Sequence, residues 1–169
     1  MKLKIIPYNK NVSERFKKEK KKILRVVRRC KVWHIGSTAT PGLGGKGIVD
    51  IMLGIKNWKY PESTIKKLKK IGFKHIHSKE KGRIFLSKNK TLSLGNIHIH
   101  IVKIGSKTQK EILYFRDYLR KNKKEAERYF NFKKKWLKES CRNRKKYKKL
   151  KSKYINKVLY GKKLIKNNK

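Results

Sequence analysis

The chain contains 169 residues, which suits one domain with a sizeable core and leaves little room for two. Its formal net charge of +42, from 52 basic and 10 acidic residues, attracts nucleic acid, nucleotides and phosphorylated metabolites. The sequence has neither an apolar run long enough to span a bilayer nor an apolar signal segment, so we expect a cytoplasmic protein with no membrane partner.

Two interpretations of this charge stay open. Most of the basic residues are lysines and they occur in every segment, which is typical of a compositional bias carried on a solvated surface. Arginine, the usual residue for bidentate contacts with bases and phosphates, is the minority. Under either interpretation we expect weak, salt-sensitive binding of nucleic acid through the basic surface. The two cysteines, Cys30 and Cys141, form neither a metal-ligand spacing nor a disulfide framework.

The first predicted elements are a short strand and an amphipathic helix. Residues 3–6 are apolar and end at a proline, a pattern that predicts an edge strand. Ser13 is a suitable N-cap for the next helix. Phe16, Ile23 and Val27 then recur at helical spacing, with lysine and arginine on the opposite face.

The central stretch of the chain carries the clearest chemistry. A strand ends at a turn of Gly36 and Ser37, a glycine-rich loop follows, and residues 48–55 form an apolar strand interrupted by Asp50. The amides of such a turn can approach phosphate oxygens without a Cβ in the way, and Ser37 adds a hydroxyl. Asp50 lies between apolar neighbours, where an ionised carboxylate needs a cation, a lysine such as Lys46 or backbone donors. The pattern indicates a phosphate and metal site; the alternative is an acid that only accepts hydrogen bonds from a neighbouring turn.

Two histidine pairs follow this stretch. Residues 97–102 alternate with a period of two, which places His98 and His100 on one face of a strand and isoleucines on the other. This pair could bind a metal, contact phosphate or carry a proton, and the alternative is two histidines hydrogen-bonded to loops. His75 and His77 have the same spacing but lie in a loop-like segment, so we interpret them as structural.

The remaining pattern predicts helices around these strands. Residues 61–72 begin with proline and end with glycine, as a helix does, and residues 83–87 alternate as a strand with Arg83 on its polar side. From residue 108 onward three apolar stripes at helical spacing predict helices, the last of which ends at Gly161. We therefore predict one domain over residues 1–161 and a basic frayed tail over 162–169.

The motif HIGSTATPGLGGKGIVDI, at residues 34–51, resembles the signature of the GrpB family. The resemblance continues through Ile-Pro-Tyr at 6–8, His-Ile-His-Ile-Val at 98–102, Phe-Arg-Asp-Tyr-Leu-Arg at 115–120 and a tyrosine pattern at 147–155. It covers essentially the whole chain in the right order. The GrpB family is similar in fold to DNA polymerase beta-like nucleotidyltransferases, and a related domain is fused to some dephospho-coenzyme A kinases.

The resemblance implies an α+β fold: a mixed β-sheet of the nucleotidyltransferase type, with helices packed on it and a helical C-terminal region. By position it places Gly36, Ser37 and Thr38 on the phosphates of a nucleoside triphosphate and makes Asp50 the ligand of a magnesium ion. The position of the second metal carboxylate is Met52, whose thioether is a poor ligand for magnesium. Gly47 also stands where the family usually has proline.

The sequence and its resemblance to the GrpB family are compatible with three functions. The first is a nucleotidyltransferase that uses Asp50 with magnesium and His98 or His100 to orient or deprotonate an acceptor, with Lys46 or Arg83 neutralising phosphate charge. The second is a non-catalytic module that binds a nucleotide, a coenzyme A-like molecule or RNA in the same pocket. The third is a metal-assisted hydrolase built on the aspartate and the two histidines, which would prefer a transition metal. The partner that we expect is a nucleotide or a phosphorylated small molecule.

Overall fold

The computed structural model describes residues 4–59, 61–80, 82–91, 95–141 and 143–166, with side chains up to residue 161. The described ranges form an α+β fold, and its elements in chain order are α1 (Asn11–Val26), β1 (Cys30–Ile35), a 3₁₀ turn (Ser37–Ala39), β2 (Val49–Ile55), α2 (Pro61–Lys70), β3 (His75–Glu80), β4 (Arg83–Ser87), β5 (Ile97–Lys103), α3 (Lys107–Lys121), α4 (Lys123–Glu139) and α5 (Arg144–Lys166).

The five strands form one mixed sheet in the order β1-β2-β5-β4-β3. Strands β2 and β5 are parallel, and the other neighbours are antiparallel. The parallel pair lies at the centre of the sheet, which explains why β2 is an almost continuous apolar run: both of its faces are covered. The predicted mixed sheet is confirmed.

One face of the sheet packs against α1 and α2. The buried side chains there are aliphatic and come from alternate strand positions, such as Ile51 and Leu53 of β2 and Ile99 and Ile101 of β5. Phe73, which follows α2, is fully buried in the same cluster. This side of the sheet is the main hydrophobic core, and burial of its apolar area is the main source of stability.

Helices α3, α4 and α5 lie on the other face. Part of this face is apolar, where Met52 packs with Ile35 and Val102. A second cluster, rich in aromatic rings, joins the three helices to one another around Tyr129 and Trp136. Between the apolar part and the aromatic cluster the sheet presents polar residues, and a cleft remains open there.

The N-terminal predictions are partly wrong. Residues 4–6 form no strand; Ile6 makes only an isolated antiparallel bridge with Gly45, and residues 1–3 lie outside the described ranges. Ser13 is not the N-cap of α1, because the helix begins at Asn11, whose backbone N–H donates to the Asn9 Oδ1 atom at 2.9 Å. The N-cap position is Lys10, which makes no side-chain capping hydrogen bond, so the role that we assigned to Ser13 is not filled by a capping side chain.

Two further predictions differ from the structure. His75 and His77 belong to strand β3, whose pairing with β4 shifts register between Ile76 and Ser78. That irregularity breaks the alternation of apolar and polar residues that identifies a strand in sequence. Helix α5 runs through Gly161 to Lys166. The division into a domain of residues 1–161 and a tail stays a prediction, and residues 167–169 lie outside the described ranges. None of the helices described here combines the length and the apolar character needed to cross a bilayer.

Candidate functional site

Asp50 stands where three segments of the chain meet. In β2 it pairs with Ile35 at the end of β1 on one side and with His98 of β5 on the other. The turn of Gly36 and Ser37 follows Ile35 directly and therefore lies beside the carboxylate. A cleft of about 680 Å³ opens here between the sheet and helices α3 to α5. The structure thus brings the turn, the acid and the histidines of β5 to one cavity wall.

The carboxylate of Asp50 is held by the two histidines. His98 Nδ1 donates to the Asp50 Oδ1 atom at 3.1 Å, and His100 Nε2 lies 3.8 Å from the same oxygen. Burial alone would raise the pKa of Asp50, but its interactions with His100 and His98 hold that pKa well below its usual range. Burial lowers the pKa of His100 although Asp50 opposes the shift. Asp50 is therefore an anion at neutral pH.

The second ring nitrogen of each of these histidines is left without a hydrogen bond to any described residue. His98 is 7% exposed, and neither its Nε2 atom nor the Nδ1 atom of His100 has a hydrogen-bond partner. Phe85 of β4 fixes both rings: it stacks on His100 with centroids 4.8 Å apart and meets His98 edge-on at 5.0 Å. Buried polar atoms without partners are rare and costly, so a ligand that satisfies them has an advantage.

The turn approaches Asp50 as closely as a glycine permits. Gly36 has φ 72° and ψ −169°, and a Cβ built on it would lie 2.5 Å from the Asp50 Oδ2 atom. Thr38 also belongs to the predicted phosphate loop, but its hydroxyl makes other contacts. The buried hydroxyl donates to the Ile48 carbonyl oxygen at 3.0 Å and accepts from His34 Nε2 at 3.0 Å. The Thr38 hydroxyl therefore stabilises the loop and has no hydrogen left to donate to a phosphate.

A buried lysine that sequence reasoning did not find completes the site. Lys133 of α4 is 2% exposed, and its ammonium group donates to the Ser37 hydroxyl oxygen at 3.1 Å and to the Gly44 carbonyl oxygen. It also lies over the rings of Tyr129 and Phe130. Burial, with added repulsion from nearby lysines, lowers the pKa of Lys133 to about 7. Its partners are all neutral, so the cost of burying its charge is poorly compensated.

Lys46 and Arg83, both predicted from the sequence, also line the cleft. The Lys46 ammonium lies 4.9 Å from the centroid of the Tyr147 ring, and burial together with nearby cations lowers the pKa of Lys46 to about 8. Arg83 donates to the Glu80 carboxylate at 2.9 Å, while its buried Nε atom has no partner. Arg83 is thus partly neutralised, whereas Lys46 and Lys133 form no ion pair with any described carboxylate.

Two arginines of helix α3 hydrogen-bond to the backbone on either side of the turn. Arg116 donates to the carbonyl oxygen of His34, just before the turn, at 3.2 Å, and Arg120 donates to that of Ala39, just after it, at 2.8 Å. The Arg116 guanidinium is itself oriented by two bonds to Asp117, at 2.8 and 2.9 Å. These contacts fix both ends of the loop and explain what the Phe-Arg-Asp-Tyr-Leu-Arg segment does in this chain.

The donor set does not match a two-metal magnesium site. Among the described residues no group of three or more His, Cys, Asp or Glu side chains is arranged to hold a metal ion. Met52, at the position of the second carboxylate, is 0% exposed and packs with apolar side chains. Of these two positions only Asp50 carries a carboxylate, and magnesium requires several hard oxygen ligands. The two-metal mechanism of phosphoryl transfer therefore lacks its ligands here.

One sequence signal could have revealed Lys133. It lies four residues after Tyr129 and three before Trp136, so it occupies the apolar stripe of α4 rather than its charged face. A lysine in an apolar stripe is unusual and indicates either a paired charge or a functional one. The role of Arg116 and Arg120 had no such signal, because both read as ordinary surface residues of an amphipathic helix.

Comparison with known proteins agrees with this architecture. The family model described as "GrpB protein" matches residues 2–160. A UPF0157 protein from Halalkalibacterium halodurans is 26% identical over 92% of this chain and 80% of its own length. The crystal structure of the conserved protein GrpB from Enterococcus faecalis superposes with a TM-score of 0.72 at 25% identity, covering 92% of this chain and 99% of that one. A cytoplasmic RNA terminal U-transferase has the same fold, with a TM-score of 0.51 at 11% identity over 79% of this chain and 40% of its own.

Proposed function

This chain belongs to the GrpB family, and we propose that it binds a phosphorylated ligand of the nucleotide class against the turn of Gly36 and Ser37. The observation that carries the proposal is the Lys133 ammonium, buried at 2% exposure and bonded to the Ser37 hydroxyl at 3.1 Å. A buried cation without an anionic partner is costly, and a phosphate at the turn removes that cost.

The cleft has the size and the lining that such a ligand needs. Its volume of about 680 Å³ lies within the usual range of small-molecule pockets. Lys133 supplies charge at the turn and Lys46 supplies charge elsewhere on the cleft wall, while Phe85 and Tyr147 supply aromatic surface in the same cavity. A ligand with an anionic end and a flat apolar end fits this division, and a nucleotide has both.

Nucleotidyl transfer is a second candidate, favoured by the state of His98. The Nδ1 atom of His98 contacts Asp50, its Nε2 atom has no hydrogen-bond partner among the described residues, and the residue lines the cleft, so this nitrogen is the candidate base. In this reaction an acceptor hydroxyl attacks the α-phosphorus of a nucleoside triphosphate, His98 Nε2 takes the hydroxyl proton, and pyrophosphate leaves. Release of pyrophosphate from a nucleoside triphosphate, abolished by His98→Gln, is the outcome that distinguishes transfer from binding alone.

Thermal shift with a matched pair of lysine variants tests the binding proposal. Lys133→Met removes the buried cation, and Lys135→Met removes a lysine of the same helix that is 68% exposed and pairs with Glu139. Nucleoside triphosphates, coenzyme A and inorganic pyrophosphate are the ligands, and adenosine is the uncharged control. We expect the anions to raise the Tm of the wild type and of Lys135→Met but not of Lys133→Met.

The changes in ligand affinity and in Tm distinguish a role of Lys133 in binding from a role in the fold. Loss of a charge-assisted hydrogen bond worth about 1.5–3 kcal/mol lowers affinity about 10- to 100-fold. The unliganded Lys133→Met protein should be at least as stable as the wild type, because methionine fills the site without a buried charge. A lower Tm for that variant together with an unchanged ligand shift would show that Lys133 only supports the fold. Lys46→Met provides a second test if Lys133→Met does not fold.

A further inference from the structure

We infer that this site neutralises its phosphates with protein ammonium groups, Lys133 and Lys46, in place of a divalent metal. The inference rests on the proposed function and specifies how that function is achieved. It assigns to Lys133 a binding role, and it makes the ligand a free polyphosphate anion rather than a magnesium complex.

Asp50 lies beside the turn, and its neighbours already occupy one of its oxygens. Its Oδ1 atom accepts from His98 at 3.1 Å and lies 3.8 Å from His100 Nε2. Its Oδ2 atom lies so close to Gly36 that no Cβ could be added there. A cation bound to the Oδ1 atom would have to displace the imidazoles. The Asp50 side chain, 27% exposed, therefore offers a cation at most one oxygen.

The neighbouring position on the same strand face offers no metal ligand. Met52 follows Asp50 by two residues in β2, is completely buried, and packs with Ile35 and Val102. A carboxylate in its place would be enclosed by aliphatic groups and could not reach an ion in the cleft. The residues outside the described ranges include no Asp, Glu, His or Cys, so they offer no substitute ligand of these types.

The protein supplies positive charge to this cleft from its own lysines. Two ammonium groups carry the same charge as one divalent cation. The Lys133 ammonium lies at the Ser37 hydroxyl, and Lys46 follows Gly45, whose Cα faces both Ser37 and Lys133: a Cβ built on Gly45 would lie 3.1 Å from Ser37 Oγ and 3.7 Å from Lys133 Nζ. Burial and, after it, repulsion from Lys151 lower the pKa of each lysine, and an arriving phosphate opposes that effect by stabilising the charged forms.

Isothermal titration calorimetry with and without metal tests the inference. ATP and inorganic pyrophosphate are titrated into the wild-type protein in EDTA and again in excess magnesium chloride. We expect tight binding in EDTA and equal or weaker binding in magnesium, because the metal competes with the two lysines for the phosphate oxygens. Binding that is tenfold or more tighter with magnesium would overturn the inference but leave the proposed function standing. Absence of binding in both buffers would overturn both.

Asp50→Asn gives a second test, because a metal-free site and a metal site predict opposite changes in phosphate affinity. Asparagine keeps an oxygen that accepts from His98, so the local hydrogen bond survives. In a metal-free site the lost negative charge strengthens phosphate binding, by about 3- to 10-fold. In a metal site the same change removes the ligand and weakens binding. Glu139→Gln, outside the cleft on the exposed end of α4, is the control for the change in net charge and should bind like the wild type.

Lys46→Met completes the design. We expect it to weaken binding about 10-fold or more in EDTA and in magnesium alike, since the metal has no carboxylate cluster through which to replace the lost ammonium. Recovery of wild-type affinity on adding magnesium to Lys46→Met would overturn the inference, because it would show that the site does accept the metal.

Discussion

The conformations of single residues in this site are tightly constrained by their neighbours. Gly36 adopts φ 72° and ψ −169°, a combination that is essentially reserved for glycine, and its missing Cβ leaves room for the Asp50 Oδ2 atom. The carboxylate in turn orients His98, and Ser37 receives the buried ammonium of Lys133. A methyl group added at Gly36 should therefore disturb the positions of the carboxylate, the imidazole and the turn together.

Gly36→Ala compared with Gly42→Ala measures that coupling. Both glycines have positive φ, 72° and 78°, but a Cβ on Gly42 would meet nothing within 4 Å. We expect Gly42→Ala to cost about 1 kcal/mol of unfolding free energy for backbone strain alone. Gly36→Ala should cost about 2–3 kcal/mol, because its Cβ also displaces Asp50. Urea denaturation of both variants supplies the comparison, and equal losses would show that Asp50 moves aside without penalty.

Elements of the fold determine which side chains can serve the cleft. Strand β2 alternates between the core under α1 and α2 and the face toward α3, and the parallel partner β5 places its histidines directly beside Asp50. Two residues further along β2 the same face is closed by Ile35 and Val102. The cleft thus ends between Asp50 and Met52, and only the first of these two positions is available to a ligand.

Substitutions at Met52 test where the cleft ends. Met52→Leu preserves volume and should cost less than about 1.5 kcal/mol. Met52→Asp places an unpaired carboxylate among aliphatic side chains and should cost several kcal/mol, about 3 or more, or prevent folding. Urea denaturation monitored by tryptophan fluorescence measures both. Wild-type stability for Met52→Asp would mean that water or the cleft reaches this position, and with it a route to a second metal ligand.

The molecule as a whole carries far more positive charge than its own acids can balance. Its net charge is +42, and the carboxylates that form ion pairs are mostly exposed and paired with a lysine or arginine three or four residues away. Exposed pairs of this kind contribute little. Repulsion among the remaining cations opposes the compact state and is sensitive to salt.

Salt should therefore stabilise this protein. Raising sodium chloride from about 0.01 M to about 0.15 M shortens the screening length from about 30 Å to about 8 Å, so repulsion across the surface falls. We expect Tm to rise by several degrees, as measured by differential scanning calorimetry. The effect belongs to the whole surface, so Lys133→Met should show the same salt dependence as the wild type. A Tm that stays constant or falls with salt would indicate that the lysines are already neutralised by specific contacts.

Much of the fold was determined by the sequence alone. The alternation of residues 97–102, the apolar run of β2 and the stripes of the C-terminal helices correctly predicted individual strands and helices, because periodicity records which face of an element is buried. The mixed sheet that the strands form was expected from the resemblance to the GrpB family. The turn of Gly36 and Ser37 and the acid Asp50 were also identified from local sequence. Local pattern failed where local order is irregular, as at the register shift in β3.

Only the tertiary structure decided what surrounds Asp50 and the turn. Lys133 reaches Ser37 across 96 residues of chain, and Arg116 and Arg120 reach the loop across 82 and 81. Sequence spacing carries no information about such contacts, since they depend on how α3 and α4 pack over the sheet. The burial of Met52 belongs to the same class: its identity is written in the sequence, but its enclosure comes from neighbours on other elements, and that enclosure is the reason why the cleft offers ammonium groups where a metal pair would need oxygens.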